Sequence, residues 1–168
     1  DAVAGPEVGA PYWAPPQQRP FLEEVGADPG RLRIALQTQS WNGAPTDPEC
    51  RRAAESTAEL CVKLGHEVET APLLLGDLEL GRATQVIIGS NVRALVEEGA
   101  AALGRDARET DLEPLTWAMF QLAGAVGGVD YAHAVQTLHA AGRCVALFLE
   151  RYDAILSPTM ATLPTRIG

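Results

Sequence analysis

The sequence predicts an α/β fold built on parallel strands. Three observations carry that reading. Runs at 32–36 and 66–70 flank a helical pattern at 47–64, further long helical patterns follow, and a short apolar run at 154–156 leads into a proline-broken tail. Strand, helix and strand in that order make a crossover unit, the connection that parallel strands require. The composition agrees: 168 residues fit a domain of ordinary size, and 46% hydrophobic residues are enough for a packed core.

Residues 1–30 read as an extended proline-rich strap with one short helix, and residues 31–168 as the α/β core. Pro6, Pro11, Pro15, Pro16 and Pro20 forbid regular helix at the start, so Tyr12 and Trp13 are expected to pack against another part of the protein. Asp1-Ala2-Val3-Ala4-Gly5 reads like the last turn of a helix. A short helix over 21–26 precedes the Asp28-Pro29-Gly30 turn. Leu32-Arg33-Ile34-Ala35-Leu36 is the first strand, with one well-buried face. Asp47-Pro48 then opens a helix with an N-cap and a first-turn proline, and Gly65 closes it. Cys50, Ala54, Thr57, Cys61 and Leu64 recur at helical spacing and predict its buried stripe. His66-Glu67-Val68-Glu69-Thr70 is the second strand.

From about Asp77 to Leu103 the pattern is helical, with Val86-Ile87-Ile88 expected to be buried. Gly89 in its middle costs up to about 1 kcal/mol relative to alanine, which points to close packing or to room for a ligand. Ser90 and Asn91 either bond back to the helix carbonyls or face a cavity. Asp111 is read as the start of a helix through Leu115, Met119, Leu122 and Val126, stopped at Gly127-Gly128. Asp130 is read as the cap of the last helix, whose stripe is Tyr131, Val135, Leu138, Gly142, Val145, Leu149 and Tyr152. Trp117 and Phe120 either line an apolar pocket or belong to the core.

Several function classes are disfavoured. A net charge of −9, with arginines scattered along the chain, lacks the basic footprint that a nucleic-acid partner needs. No run is long enough for a membrane helix, and no basic-then-apolar leader opens the chain. Cys50 and Cys61 stand eleven residues apart on one helix, about 16 Å, too far for a disulfide. With Cys144 they read as small buried hydrophobes in a reducing compartment, and the expected location is cytoplasmic. Neither these cysteines nor His66, His133 and His139 have metal-ligand spacing, so no metal is expected. Lys63, the single lysine, falls about 160° from the buried stripe of its helix and reads as a solvated residue. The pairs Glu23-Glu24, Glu67/Glu69 and Glu97-Glu98 read as solvated faces.

In open α/β sheets, ligands bind beyond the carboxyl ends of the strands. The loop after 154–156 carries Ser157, Thr159, Met160 and Thr162, and the loop after 32–36 carries Trp41 and Asn42. The first is either a plain proline-rich exit or a ligand wall. If both strands are parallel, the two loops open on one side, and Trp41, Ser157, Thr159 and Met160 become candidate substrate-binding residues. Asn91 joins them if its helix crosses the same rim.

Y-D-A-I-L-S-P-T at 152–159 with P-T-R-I-G at 164–168 resembles the late segment of the amidase signature hydrolases. Stretches in matching order are A-G-P-E-V-G-A-P-Y-W at 4–13, R-P-F-L-E-E-V and D-P-G-R-L-R-I-A within 19–35, and L-G-H-E-V-E at 64–69. E-P-L-T at 113–116 and V-D-Y-A-H-A at 129–134 complete the set. The resemblance covers essentially the whole chain. It is closest to amidases grouped with the aminohexanoate cyclic-dimer (nylon-oligomer) hydrolases. It implies part of an α/β/α sandwich with a mixed, mainly parallel central sheet and several long helices.

That family's chemistry resembles a Ser–cis-Ser–Lys triad, with two serines in a G-G-S-S-G-G-S type of loop, and the resemblance implies no metal and no organic cofactor. No such loop occurs here, and none of Ser40, Ser56, Ser90 and Ser157 has glycine on both sides. No catalytic residue is therefore assigned. The expectation is the later part of an amidohydrolase, inactive alone, that supplies sheet core and substrate walls. Its implied partners are a small-molecule amide, the N-terminal part of the same domain and, left open, a second copy in a homodimer. The alternative is a stand-alone, non-catalytic α/β binding module derived from the same fold.

Overall fold

Three parallel strands lie side by side in the order β2–β1–β3, with β1 Arg33–Leu36, β2 Glu67–Thr70 and β3 Ala154–Leu156. The computed structural model describes residues 2–41, 43–76 and 78–167. Between β1 and β2 runs α2, Pro48–Lys63, started by the Asp47 carboxylate, which accepts from the Glu49 backbone N–H at 2.8 Å. Gly65, at φ 96°, makes the left-handed turn that lets β2 begin directly afterwards. Leu36 packs with Ala54 and Ala58 of α2, and Val68 and Leu156 join from the two flanking strands.

The other face of the sheet is held differently. Ala35 is fully buried and pairs in register with Glu69 on one side and Ile155 on the other, so all three side chains share this face. Tyr152 is buried here, and its hydroxyl donates to the Glu69 carboxylate. Its ring meets Phe148, the last residue of α5, at 4.8 Å. At the amino ends of the strands, Asp153 accepts from the Arg33 backbone N–H at 2.7 Å and from its guanidinium at 2.9 Å.

The long helices form a second body of packing. Helix α3, Leu80–Ala102, is flanked by α4, Pro114–Ala123, and by α5, Gly128–Phe148. Apart from Leu80 at the start of α3, their buried residues are small: Ala83 and Gly89 on α3, Ala123 on α4, Ala134 and Ala141 on α5. A Cβ on Gly89 would meet the Ala123 Cβ at 3.4 Å, so this glycine lies in a close helix contact and not beside ligand space. The four-residue helix α1, Phe21–Glu24, is shorter than the sequence suggests.

Several expectations need correction. In α2 the buried side is Ala54 and Ala58, while Thr57 and Leu64 are exposed, because the strands meet the helix one position round from the sequence stripe. The α5 stripe is likewise rotated: Ala134 and Ala141 are buried, whereas Tyr131, Leu138, Gly142 and Leu149 are exposed, because close approach to α3 selects alanines over leucines. Ile88 is exposed, and Val86 and Ile87 are half-buried. Asp111 ends a 3-10 turn, Glu109–Asp111, instead of starting α4, which begins at Pro114. Helix α4 stops at Gly124, not at Gly127-Gly128, and Asp130 sits inside α5, where its carboxylate accepts from the Gly127 N–H at 3.0 Å. The expected start of α3 at Asp77 lies outside the described residues. Tyr12 and Trp13 are exposed, and the Trp13 indole N–H is spent on the Ala10 carbonyl within the strap.

Candidate functional site

Because β1 and β3 are parallel neighbours, their exit loops leave the same end of the sheet and enclose a cleft of about 280 Å³. Thr38, Gln39, Ser40 and Trp41 form the β1 side, and Ser157, Pro158, Thr159 and Ala161 the β3 side. Leu73 and Leu75, from the segment after β2, give an apolar wall, and Gln37 and Ile155 lie at the base. The rim is tied where the Asp47 N–H donates to the Ala161 carbonyl at 2.7 Å, joining the start of α2 to the tail.

Among the described residues, none that lines this cleft is charged, in a chain where 21% of residues are Asp, Glu, Lys or Arg. Hydroxyls, one indole and side-chain amides can donate to and accept from a neutral polar group. None of them is a base or acid that titrates near neutrality, so the lining is built for recognition more than for proton transfer.

The candidate residues separate into two sets. Trp41, half exposed, lines the cleft together with Ser157 and Thr159. Met160 is exposed beside them and is not part of the lining. Asn42 lies outside the described residues. Asn91 stands on α3, where its amide donates to the Ile87 carbonyl at 2.8 Å, and Ser90 donates to Val86 at 2.7 Å. Both residues take the back-bonding alternative, and Asn91 does not line the cleft. The sequence reading missed Leu73, Leu75 and Gln37. The apolar run after Pro72 and a polar residue directly following a buried strand were the available signals.

Lys63 and His133 are exposed, and the His66 Nδ1 accepts from the Leu32 N–H at 3.3 Å, a structural contact at the far end of β1. The carboxylate pairs are exposed, as expected, and make contacts: Glu24 with Arg19, Glu67 with Arg31, Glu97 with Arg93 and Glu69 with Tyr152. The Glu69 carboxylate raises the Tyr152 hydroxyl above its ordinary pKa, chiefly through the hydrogen bond. Hydrogen bonds from Arg33 hold Asp153 down to about 2. Trp117 stacks on Phe120 at 5.3 Å, and the Arg93 guanidinium lies 4.8 Å over the Phe120 ring, so both aromatics serve the α3–α4 contact. Among the described residues no group of three potential ligands could hold a metal ion, the three cysteines are free, and no helix is long and apolar enough to cross a membrane.

The amidase family model matches residues 1–168. The chain belongs to the amidase family. This amidase chain is 30% identical over 171 aligned positions to the 6-aminohexanoate-cyclic-dimer hydrolase of Paenarthrobacter ureafaciens, an alignment that takes in all of the chain and 35% of the relative. The enzyme of the same name from Pseudomonas sp. (strain NK87) matches with the same identity and coverage. In structure the amidase chain is similar to a solved 6-aminohexanoate cyclic dimer hydrolase, with a TM-score of 0.80 and 29% identity over 88% of this chain and 31% of that one. The chain thus spans about a third of the length of the curated relatives it matches. Its mixed α/β architecture is that of amidase signature enzymes.

Proposed function

We propose that this chain is the portion of an amide-bond hydrolase that supplies sheet core and one wall of the substrate pocket. Trp41, Ser157 and Thr159 form that wall, and Met160 extends it towards the rest of the polypeptide. The single observation that carries the reading is the cleft at the carboxyl ends of two parallel strands, whose described lining is uncharged and rich in hydroxyls. Such a lining suits an uncharged amide, because a carboxylate or ammonium group would lose its hydration there without gaining a counter-charge. In the proposed reaction a serine outside residues 1–168 is acylated by the amide, a second serine and a lysine relay the proton, and water releases the acid.

The partner is the remainder of the same polypeptide. Support comes from the coverage of about a third of the relatives' length and from large apolar side chains turned outward on α4 and α5. Leu115 is 73%, Leu122 76% and Leu147 65% exposed. The three free thiols suit a reducing compartment, the cytoplasm. Residues 1–30 act as a strap that crosses to that remainder.

A fluorophosphonate serine-hydrolase probe, applied to this chain and to the complete amidase polypeptide, tests the division of labour. Labelling is expected only in the complete polypeptide, at a serine outside 1–168, with turnover of neutral amides at least about tenfold faster than of their carboxylate-bearing analogues. Stoichiometric labelling of Ser40, Ser56, Ser90 or Ser157 in the chain alone would overturn the proposal.

A further inference from the structure

Apart from Tyr152 with its hydroxyl, Gln37 is the one buried polar or charged side chain among the described residues, and its bonds reach all three strand exits. Its backbone N–H donates to the Leu156 carbonyl at 2.9 Å, extending the ladder from β1 to β3. The side-chain Oε1 accepts from the Leu73 backbone N–H at 2.9 Å, fixing the segment that follows β2. The Nε2 donates to the Gln39 carbonyl at 3.2 Å, fixing the first turn of the β1 exit loop. Leu73, Gln39 and Gln37 all line the same cleft.

We propose that Gln37 is a positioning residue for substrate selection: it sets the separation of the Leu73–Leu75 wall from the Thr38–Trp41 wall, and with it the width of the cleft. The inference rests on the reading of this cleft as a substrate wall. The chemistry requires glutamine. One planar amide must offer an acceptor to one loop and a donor to another, at the end of a two-methylene stem. Glutamate would lose the donor and bury a charge, and leucine or methionine would fill the volume but leave the Leu73 N–H and the Gln39 carbonyl without partners. The cavity between α3 and α5 lacks such a device among its described residues. The space between α3 and α5 contains Glu79, Arg82 and Asp130, but Arg82 is paired with Glu79 and Asp130 with the Gly127 backbone.

The test uses Gln37→Met with two readouts. In this chain, amide exchange at Leu73 is expected to accelerate at least about tenfold while the β1 amides Ile34 and Leu36 keep their protection. In the complete amidase polypeptide, KM for a neutral amide is expected to rise about tenfold with kcat within about twofold, the pattern of lost positioning for binding. Gln37→Asn keeps an amide but withdraws it by one methylene; it carries the same readouts should Gln37→Met fail to fold. Unchanged exchange at Leu73 overturns the proposal. So does faster exchange with an unchanged KM, provided that Trp41→Ala raises KM. If Trp41→Ala also leaves KM unchanged, the cleft itself is not the substrate wall, and the failure lies with the proposed function.

Discussion

The sheet half of this chain buries large side chains along with alanines, whereas the helical half, apart from Leu80, buries only alanine and glycine among the described residues. Around β1 the protein removes sizeable side chains from water: Ile34 and Leu36 on one face, Tyr152 on the other. Around α3 it buries chiefly alanine and glycine and turns leucines outward, Leu95 and Leu103 as well as those on α4 and α5. The first arrangement owes its stability to apolar area, the second to close helix approach. A structure that spends its small residues on internal contacts and its large ones on the outside presents an apolar surface to a further layer.

The sharpest way to break this comparison is a matched pair of truncations. Leu36→Ala is expected to destabilise the chain by about 2–5 kcal/mol, the cost of a core leucine and its cavity. Leu122→Ala, at an outward position, is expected to stay within about 0.5 kcal/mol. Urea unfolding of both variants measures the difference, and equal losses would erase the distinction between the halves. Within the complete polypeptide, Leu122→Ala should move towards the value of a buried leucine.

Gly89 tests the helical half. Gly89→Leu is expected to cost about 1–3 kcal/mol by forcing α3 and α4 apart. Gly89→Ala, whose Cβ would meet Ala123 at an ordinary 3.4 Å, should be neutral or stabilising by up to about 1 kcal/mol through helix propensity. Thermal melts that ranked the two variants together would show that the crossing is not tight.

The two halves also differ in how far the sequence announces them. The strand at 32–36, the cap at Asp47 and the glycine at 65 are local signals, and local chemistry decides them. The parallel pairing of β1 with β3, 120 residues along the chain from Arg33 to Asp153, was legible only through the rule for strand exits, yet it placed Trp41, Ser157 and Thr159 in one cleft. Helix rotation was not legible. A stripe of large apolar residues predicts a buried face only when the covering layer is present, and in α5 the alanines won the internal contact instead. Gln37 was missed because a glutamine after a strand looks like the start of a polar loop; its burial depends on the segment after β2 arriving over it.

A smaller effect is expected at the seam between the two halves. Tyr152→Phe should cost about 1 kcal/mol, the net worth of one hydrogen bond to a partly exposed acceptor. A double-mutant cycle with Glu69→Gln measures the coupling, and additivity would show that the pair holds nothing together.

The smallest effect concerns acid. Asp153 and Asp111 are each drawn from the ordinary 3.8 to about 2, first by hydrogen bonds from Arg33 and Arg105 respectively. A depressed carboxylate contributes stability that is complete above its unfolded value and is lost as pH falls through the folded one. Both contributions should therefore fade between pH 3.8 and about 2, one in each half, and remain constant above it. Both groups are solvent-accessible, so the change is modest. Asp153→Asn and Asp111→Asn should each flatten part of the slope of melting temperature against pH, and an unchanged slope would contradict the assignment.

Hydrogen–deuterium exchange of the complete amidase polypeptide, with and without a saturating neutral amide that it does not turn over, tests the central claim most directly. The cleft reading predicts slower exchange in 38–41 and 157–161 on binding, with the α3–α5 interface unchanged. Protection confined to the cavity between α3 and α5, around Arg82 and His133, would contradict it and move the ligand to the helical half.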